Sequence, residues 1–239
     1  MSSLEILAYP NPFLRTKAQI VNIFDESLQN LVEQMYTTMH TSEGVGLAAT
    51  QVGKDMNLFV LSSYAFMSEE EKKVALQTGD MGEDLVIINP QVMAESEEKV
   101  ADYEGCLSFP EVYIKVKRPI WVKIKAQNVK GEFFELEGSN FGARAILHEM
   151  DHLKGTVMTD HLSYISRTKA LNKHKSIQKS IRAKKEQEAE ESATPLAEAP
   201  TRSQATTTAN KVKSKSQKTT SSKSKNAKKS KKNRTKKKK

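Results

Sequence analysis

The chain has 239 residues and a net charge of +9, but the charge is unevenly placed. Thr201–Lys239 holds fourteen Lys, two Arg and no acidic residue, which leaves Met1–Pro200 at −7. The basic balance thus belongs to a tail, and the remaining body of roughly 165–180 residues is sized for one domain with its own core. The single cysteine, Cys106, excludes an intramolecular disulfide and fits a reducing compartment. No stretch approaches the ~20 apolar residues of a membrane span. The first residues lack the basic and then apolar regions of a secretory signal, so the expected location is the cytoplasm.

Along the chain, FDESLQNLVEQMYTTMH reads as an amphipathic helix, with Leu28, Leu31, Val32, Met35 and Met39 at helical spacing. Asp25 or Ser27 is placed to cap it. SEGVGLAATQVG, with Gly44, Gly46 and Gly53, then reads as a glycine-containing loop. NLFVLS and LVIINP are apolar runs of strand length, separated by a polar, partly helix-favouring insertion from Ser62 to Asp84 that is expected to be a solvated excursion. VYIKVKRP and IWVKIKAQ alternate apolar and basic residues, as half-buried strands do. Asn128–Glu132 is a turn, FFELEG returns as a strand, and a helix begins near Ser139 or Asn140. Helix, antiparallel strands and helix in that order predict an α+β fold, with the strands packed around the helix that follows them. Beyond Leu162 a weak helical pattern runs through Ile165, Leu171, Ile177 and Ile181. From Ser192 the Ala, Thr, Pro, Ser and Lys content predicts disorder, because such a segment buries too little apolar surface to offset chain entropy.

The last strong helix contains His148-Glu-Met-Asp-His152. Residues i and i+4 share a helix face, so both imidazoles can turn to one ion while Glu149 reaches a water beside it. A hydrolytic site takes three protein ligands and keeps one position open. The third ligand decides the class. The extended protease pattern would put a histidine at Met158, and the first glutamate after Glu149 is Glu186 in low-complexity sequence. His161 is possible but has no spacing rule in its favour. Upstream, Cys106 lies between Gly105 and Leu107, where a thiolate could complete a tetrahedral set with the two histidines. Imidazole and thiolate suit Fe(II) and Zn(II) alike. His40 and His174 are isolated and read as surface histidines.

Three stretches, GVGLAATQ (Gly44–Gln51), EGCLS (Glu104–Ser108) and HEMDH (His148–His152), together and in this order resemble the peptide deformylase family. The likeness runs from about Leu4 to Leu162 and includes ILAYPNPFLR, a start that leaves almost no room for an organelle transit peptide. It implies hydrolysis of the N-formyl group from the N-terminal formylmethionine of new polypeptides, with release of formate. By the same resemblance Cys106, His148 and His152 are the metal ligands and Glu149 the general acid/base. Gln51 and the backbone N–H of Leu107 stabilise the oxyanion, while Val45, Gly46, Glu104 and Gly105 lie against substrate. The implied cofactor is one divalent ion, Fe2+, for which Zn2+, Ni2+ or Co2+ can substitute.

General chemistry suits these assignments. A metal polarises a carbonyl and lowers the pKa of water, a carboxylate can ferry its proton to the departing amine, and a neutral amide can donate to an oxyanion. Arg118 is read as a structural partner or a neighbour of substrate backbone, and Glu104 as an anchor for its own loop, pairing with a base such as Arg144. The implied organisation is a catalytic domain over residues 1–165, a helical extension over 166–191 and a disordered Lys-rich tail over 192–239. Two competing readings are a metalloprotease and a ribosome- or RNA-binding protein with a decayed site. A flexible +16 segment would bind RNA phosphate by counterion release, so the tail is expected to tether the enzyme to ribosomes or other RNA. No membrane partner is expected.

Overall fold

The computed structural model describes residues 3–79 and 82–193. The tail from residue 194 onward lies outside them. Helix α1 (Glu26–Thr41) starts where Asp25 accepts from the Leu28 N–H, a cap that satisfies one orphan donor of the first turn. Its buried stripe of Leu28, Val32, Met35 and Met39 is the stripe the periodicity predicts. Strand β1 (Gly46–Ala48) follows within the stretch expected to be loop, then β2 (Leu58–Leu61), buried throughout.

The 62–84 insertion holds a short turn at Ser63–Phe66 and helix α2 (Glu69–Thr78), closed at its start by reciprocal bonds between Ser68 and Glu71. Val74 and Leu76 are exposed, yet Ala65 and Ala75 are buried and Phe66 packs on the main core. The excursion is therefore docked at one end rather than fully solvated.

Strands β3 (Leu85–Glu95), β4 (Lys99–Glu104), β5 (Ile114–Pro119), β6 (Trp121–Gln127) and β7 (Phe133–Ser139) come next. LVIINP is only the first half of β3. The strand continues past Pro90 because the register with β6 shifts between Ile88 and Gln91, and a bulge is where a strand tolerates a residue without an N–H. Asn89 holds that bulge at φ 52°, its side chain bonded to both the N–H and C=O of Val21. β4 was not evident in the sequence: five of its six residues are exposed, so it lacks an apolar period.

All pairings are antiparallel. One sheet has the order β1-β2-β3-β6-β7, and β4 with β5 forms a second, two-stranded sheet. Helix α3 (Phe141–Leu153) is the element both layers share. Ala143, Ile146, Leu147 and Met150 pack on Phe59, Leu61, Ile87, Val122 and Ile124 of the large sheet. Helix α4 (Tyr164–Ala193) closes the described chain, with Ala170, Leu171 and Ile177 against Leu14, Phe109, Val112 and Met158. None of the described helices is long and apolar enough to cross a membrane.

Candidate active site

Ten of the thirteen residues of α3 are buried, and four of them are polar: Arg144, His148, Glu149 and His152. Burying polar groups costs free energy that bonds or a function must offset, so these four mark the candidate site.

Cys106 stands just beyond the end of β4. Its sulfur and the ring nitrogens of His148 and His152 all lie within 4.8 Å of one another, and Sγ is 3.3 Å from His152 Nε2. Burial raises the Cys106 thiol pKa, but the two histidines more than offset it and bring it down to about 5. Burial lowers His148, yet Cys106 and Glu104 hold it well above its ordinary value. The pair is thus predisposed to a thiolate, the form a metal needs, and a bound cation would replace the imidazole proton. This donor set fits a divalent ion.

Glu104 orients the ring of His148. Its Oε2 lies 2.9 Å from Nδ1, which leaves Nε2 for the ion, the carboxylate–histidine arrangement that fixes tautomer and direction. The rest of Glu104 is taken up inside the protein. Arg118 reaches it twice, at 2.7 and 3.0 Å, and Arg144 once, at 2.8 Å. Burial pushes its carboxyl up, but His148 and Arg118 outweigh that and hold it far below the carboxylate range. Arg118 also binds Asp151, and Asp151 binds His161, whose Nε2 sits 2.6 Å away. His161 therefore ends a chain that runs from buried Glu104 through Arg118 and Asp151 toward the surface, and lies apart from the Cys106 cluster.

Glu149 is 5% exposed and its Oε2 has no hydrogen-bond partner. Burial raises its pKa to about 7, against the pull of the two histidines. Such a carboxyl can both take and give a proton near neutrality. Gly46 is glycine for this reason: a Cβ there would lie 2.8 Å from the Glu149 carboxyl carbon.

Gln51 is 1% exposed and held at both ends of its amide. Oε1 accepts from the Ala48 N–H at 2.8 Å, and Nε2 donates to Ser108 Oγ at 3.2 Å and to Cys106 Sγ at 3.6 Å. Its donor group is thereby aimed at the metal cluster. Ser108, fully buried, closes the EGCLS stretch, but its hold on Gln51, 57 residues away, was not readable from the sequence.

Gln51, Cys106, His148 and Glu149 line a cleft of about 650 Å³. Ser42–Gly46 form one wall, and Glu104–Leu107 with Pro110–Tyr113 form the other. None of the described residues of the 62–84 insertion lines it. Among the described residues the wall strand β1 pairs only with β2 and so presents a free edge.

His40 is exposed and paired with Asp84, as a surface histidine should be. The same expectation fails for His174, which is 3% exposed. It shares a helix face with Ala170, Leu171 and Ile177, but that weak pattern did not mark it as buried, because the carbonyl it bonds belongs to Tyr9, 165 residues away.

Two imidazoles one helical turn apart, a thiolate from a strand end and a buried carboxyl beside them define a metal-dependent hydrolase. Comparison with known proteins fixes which kind. The family model for polypeptide deformylase matches residues 3–168. A peptide deformylase of Zymomonas mobilis is 39% identical over 173 residues, covering 72% of this chain and 93% of that protein. Peptide deformylase 1B, chloroplastic/mitochondrial, of Arabidopsis thaliana is also 39% identical, over 67% of this chain, but the match spans only 54% of that longer protein. The crystal structure of a peptide deformylase from Legionella pneumophila aligns with TM-score 0.66 at 34% identity, covering 76% of this chain and 98% of that one. The chain belongs to the polypeptide deformylase family. It is a hydrolase that removes the N-formyl group from nascent polypeptides. The protease and decayed-site readings are not favoured.

Proposed function

We propose that Cys106, His148 and His152 hold the family's metal, Fe2+ in the cell, and that Glu149 and Gln51 carry the proton transfer and the oxyanion. The observation that supports this most is the convergence of three ligand atoms within 4.8 Å beside the unpartnered oxygen of Glu149. When bound, the ion supplies Lewis-acid polarisation and acidifies water. The protein residues do the rest. The free edge of β1, with Val45 just before it, takes the substrate backbone as an added strand, opposite Gly105 and Leu107. Glu149 accepts the proton of the attacking water and returns it to the leaving amine. Gln51 Nε2, fixed by Ser108 and Ala48, donates to the charge that develops on the formyl oxygen, together with the Leu107 N–H. Glu104, expected to touch substrate as well as anchor its loop, is better suited to holding His148, since both its oxygens are engaged by Arg118, Arg144 and His148.

The softness of thiolate and the range of imidazole admit Fe2+, Zn2+, Ni2+ or Co2+, so the resident metal is read by elemental analysis of protein purified without oxygen. Cys106→Ala should lose the ion. Retained metal would move the third ligand elsewhere and break the assignment.

The organisation proposed is a catalytic domain over 1–165, the helical extension 166–191 and the Lys-rich tail 192–239, with the whole protein in the cytoplasm. The tail is proposed to tether the enzyme to ribosomes or other RNA. α4 extends the same charge: from Tyr164 to Gln187 it carries eight Lys or Arg against Glu186 alone. Such charge favours phosphate without sequence preference. Equal co-sedimentation with ribosomes of the full chain and of a chain ending near Glu191 would rule out the tether.

A further inference from the structure

His174 lies six residues past the end of the family match, in a helix whose other described side chains face solvent, pack as apolar groups or, like Arg167, make surface ion pairs. Leu171 and Ile177 flank it on the same face. A third aliphatic residue would have served packing alone, and an imidazole costs free energy to bury unless it is bonded. His174 is bonded at one nitrogen: Nε2 donates to the Tyr9 carbonyl at 2.7 Å, while the buried Nδ1 has no partner among the described residues. Its ring also rests on Phe109, centroids 4.9 Å apart, and meets the Tyr9 ring edge-on at 6.0 Å. Tyr9 and Phe109 are themselves stacked at 4.8 Å.

Both partners of His174 lead directly to the site. The Tyr9 N–H donates to the Ser108 carbonyl at 2.9 Å, and two residues earlier the Leu7 N–H donates to the Gln51 carbonyl at 2.8 Å. The segment Leu7–Tyr9 is therefore laid across Gln51 and Ser108, whose side chains bond each other at 3.2 Å. Phe109 follows Ser108 directly, and its N–H donates to the Cys106 carbonyl at 2.8 Å. The Tyr9 peptide is gripped on one side by the Cys106 loop and on the other by α4. Elsewhere α4 has its own attachments: Arg167 pairs with Asp160, which also binds Arg15, and Leu171 and Ile177 are packed. The helix thus has means to stay docked without His174.

We infer that His174 is a positioning residue for the active site, acting through Tyr9 and Phe109 on the loop that carries Cys106 and on the register of Gln51. This rests on the roles proposed above for Cys106 and Gln51. His174 touches neither substrate nor ion. It sets the backbone from which the thiolate and the oxyanion donor project, and misplacement of such groups by a fraction of an ångström lowers rate more than binding.

The test compares His174→Leu, which keeps bulk and loses the donor, with His174→Gln, which keeps a donor. Three quantities are read on metal-loaded full-length protein: kcat and KM for a formylated peptide, the rate of metal release to a chelator, and the rate at which a disulfide reagent labels Cys106, the sole cysteine. For His174→Leu, kcat should fall and metal release and Cys106 labelling should quicken, each about tenfold, with KM within about twofold. His174→Gln should recover most of each change. If His174→Leu does not fold, His174→Asn, too short to reach the Tyr9 carbonyl, takes its place. A lowered melting temperature with kcat, metal release and labelling unchanged would overturn the inference and leave His174 a packing residue. A wild-type protein that releases no formate would overturn the roles of Cys106 and Gln51 instead.

Discussion

Helices α3 and α4 are built on opposite terms. α3 is short, buried over ten of its thirteen residues, and carries four buried polar side chains: Arg144 and His148 meet partners from β4 and β5, His152 meets Cys106, and Glu149 Oε2 stands without a partner among the described residues. α4 is thirty residues long and strongly basic, and among its described residues only Ala170 and His174 are buried. In α3 each buried polar residue stands at the Cys106–His148–His152 cluster or, like Arg144, is tied to it through Glu104. In α4 the single buried polar residue reaches the same cluster by way of Tyr9. The contrast teaches that in this fold function concentrates where polar atoms are buried and directed, whichever element they come from.

The sharpest way to break the contrast is at Glu149. Glu149→Ala should lower kcat by about 10²–10⁴ while the protein keeps its metal, read by formate release alongside elemental analysis. Surviving turnover would remove the acid/base from α3. Gln51→Ala comes next, with an expected loss of about 10²–10³ in kcat and little change in metal content. A change confined to KM would show that Gln51 only binds.

Glu104→Gln tests the support beneath α3. It should weaken metal affinity about 10–100-fold, because His148 loses the partner that fixes its ring. It should also cost about 3–5 kcal/mol of stability by leaving Arg118 and Arg144 buried without a full counter-charge. Denaturant midpoints and metal titration separate the two effects.

The smallest effect lies on the α4 side. Burial raises the Asp160 pKa, but bonds from Arg15 and the Val157 N–H outweigh it and the net direction is down. A depressed carboxyl stabilises the fold above its unfolded pKa and loses that contribution as pH falls through the folded one. Asp160→Asn should therefore lower the melting temperature by no more than about 3 °C at neutral pH. The gap from wild type should close below about pH 4. Melting curves across that range check the sign.

Much of this architecture was legible in the residues. The α1 stripe, the alternation of β5 and β6, and the i, i+4 histidines of α3 each follow from a period that burial imposes. Where the period is missing, so was the element. β4 exposes nearly all its side chains, β1 is three residues inside a glycine loop, and β3 passes through Pro90 only because a bulge admits it. Of the site, the two histidines and Glu149 declare themselves by spacing, Cys106 was readable from the residues as a candidate third ligand beside His161, and Gln51 needed the resemblance. Ser108, Asp151 and the burial of His174 required the fold, because their partners lie dozens of residues away along the chain.

The most direct test of the central claim is formate release from a formyl-Met-Ala-Ser peptide by metal-loaded protein kept from oxygen, with the products separated by mass. The cluster of Cys106, His148, His152, Glu149 and Gln51 predicts stoichiometric formate and an intact deformylated peptide. Cleavage of an internal peptide bond without formate would contradict it.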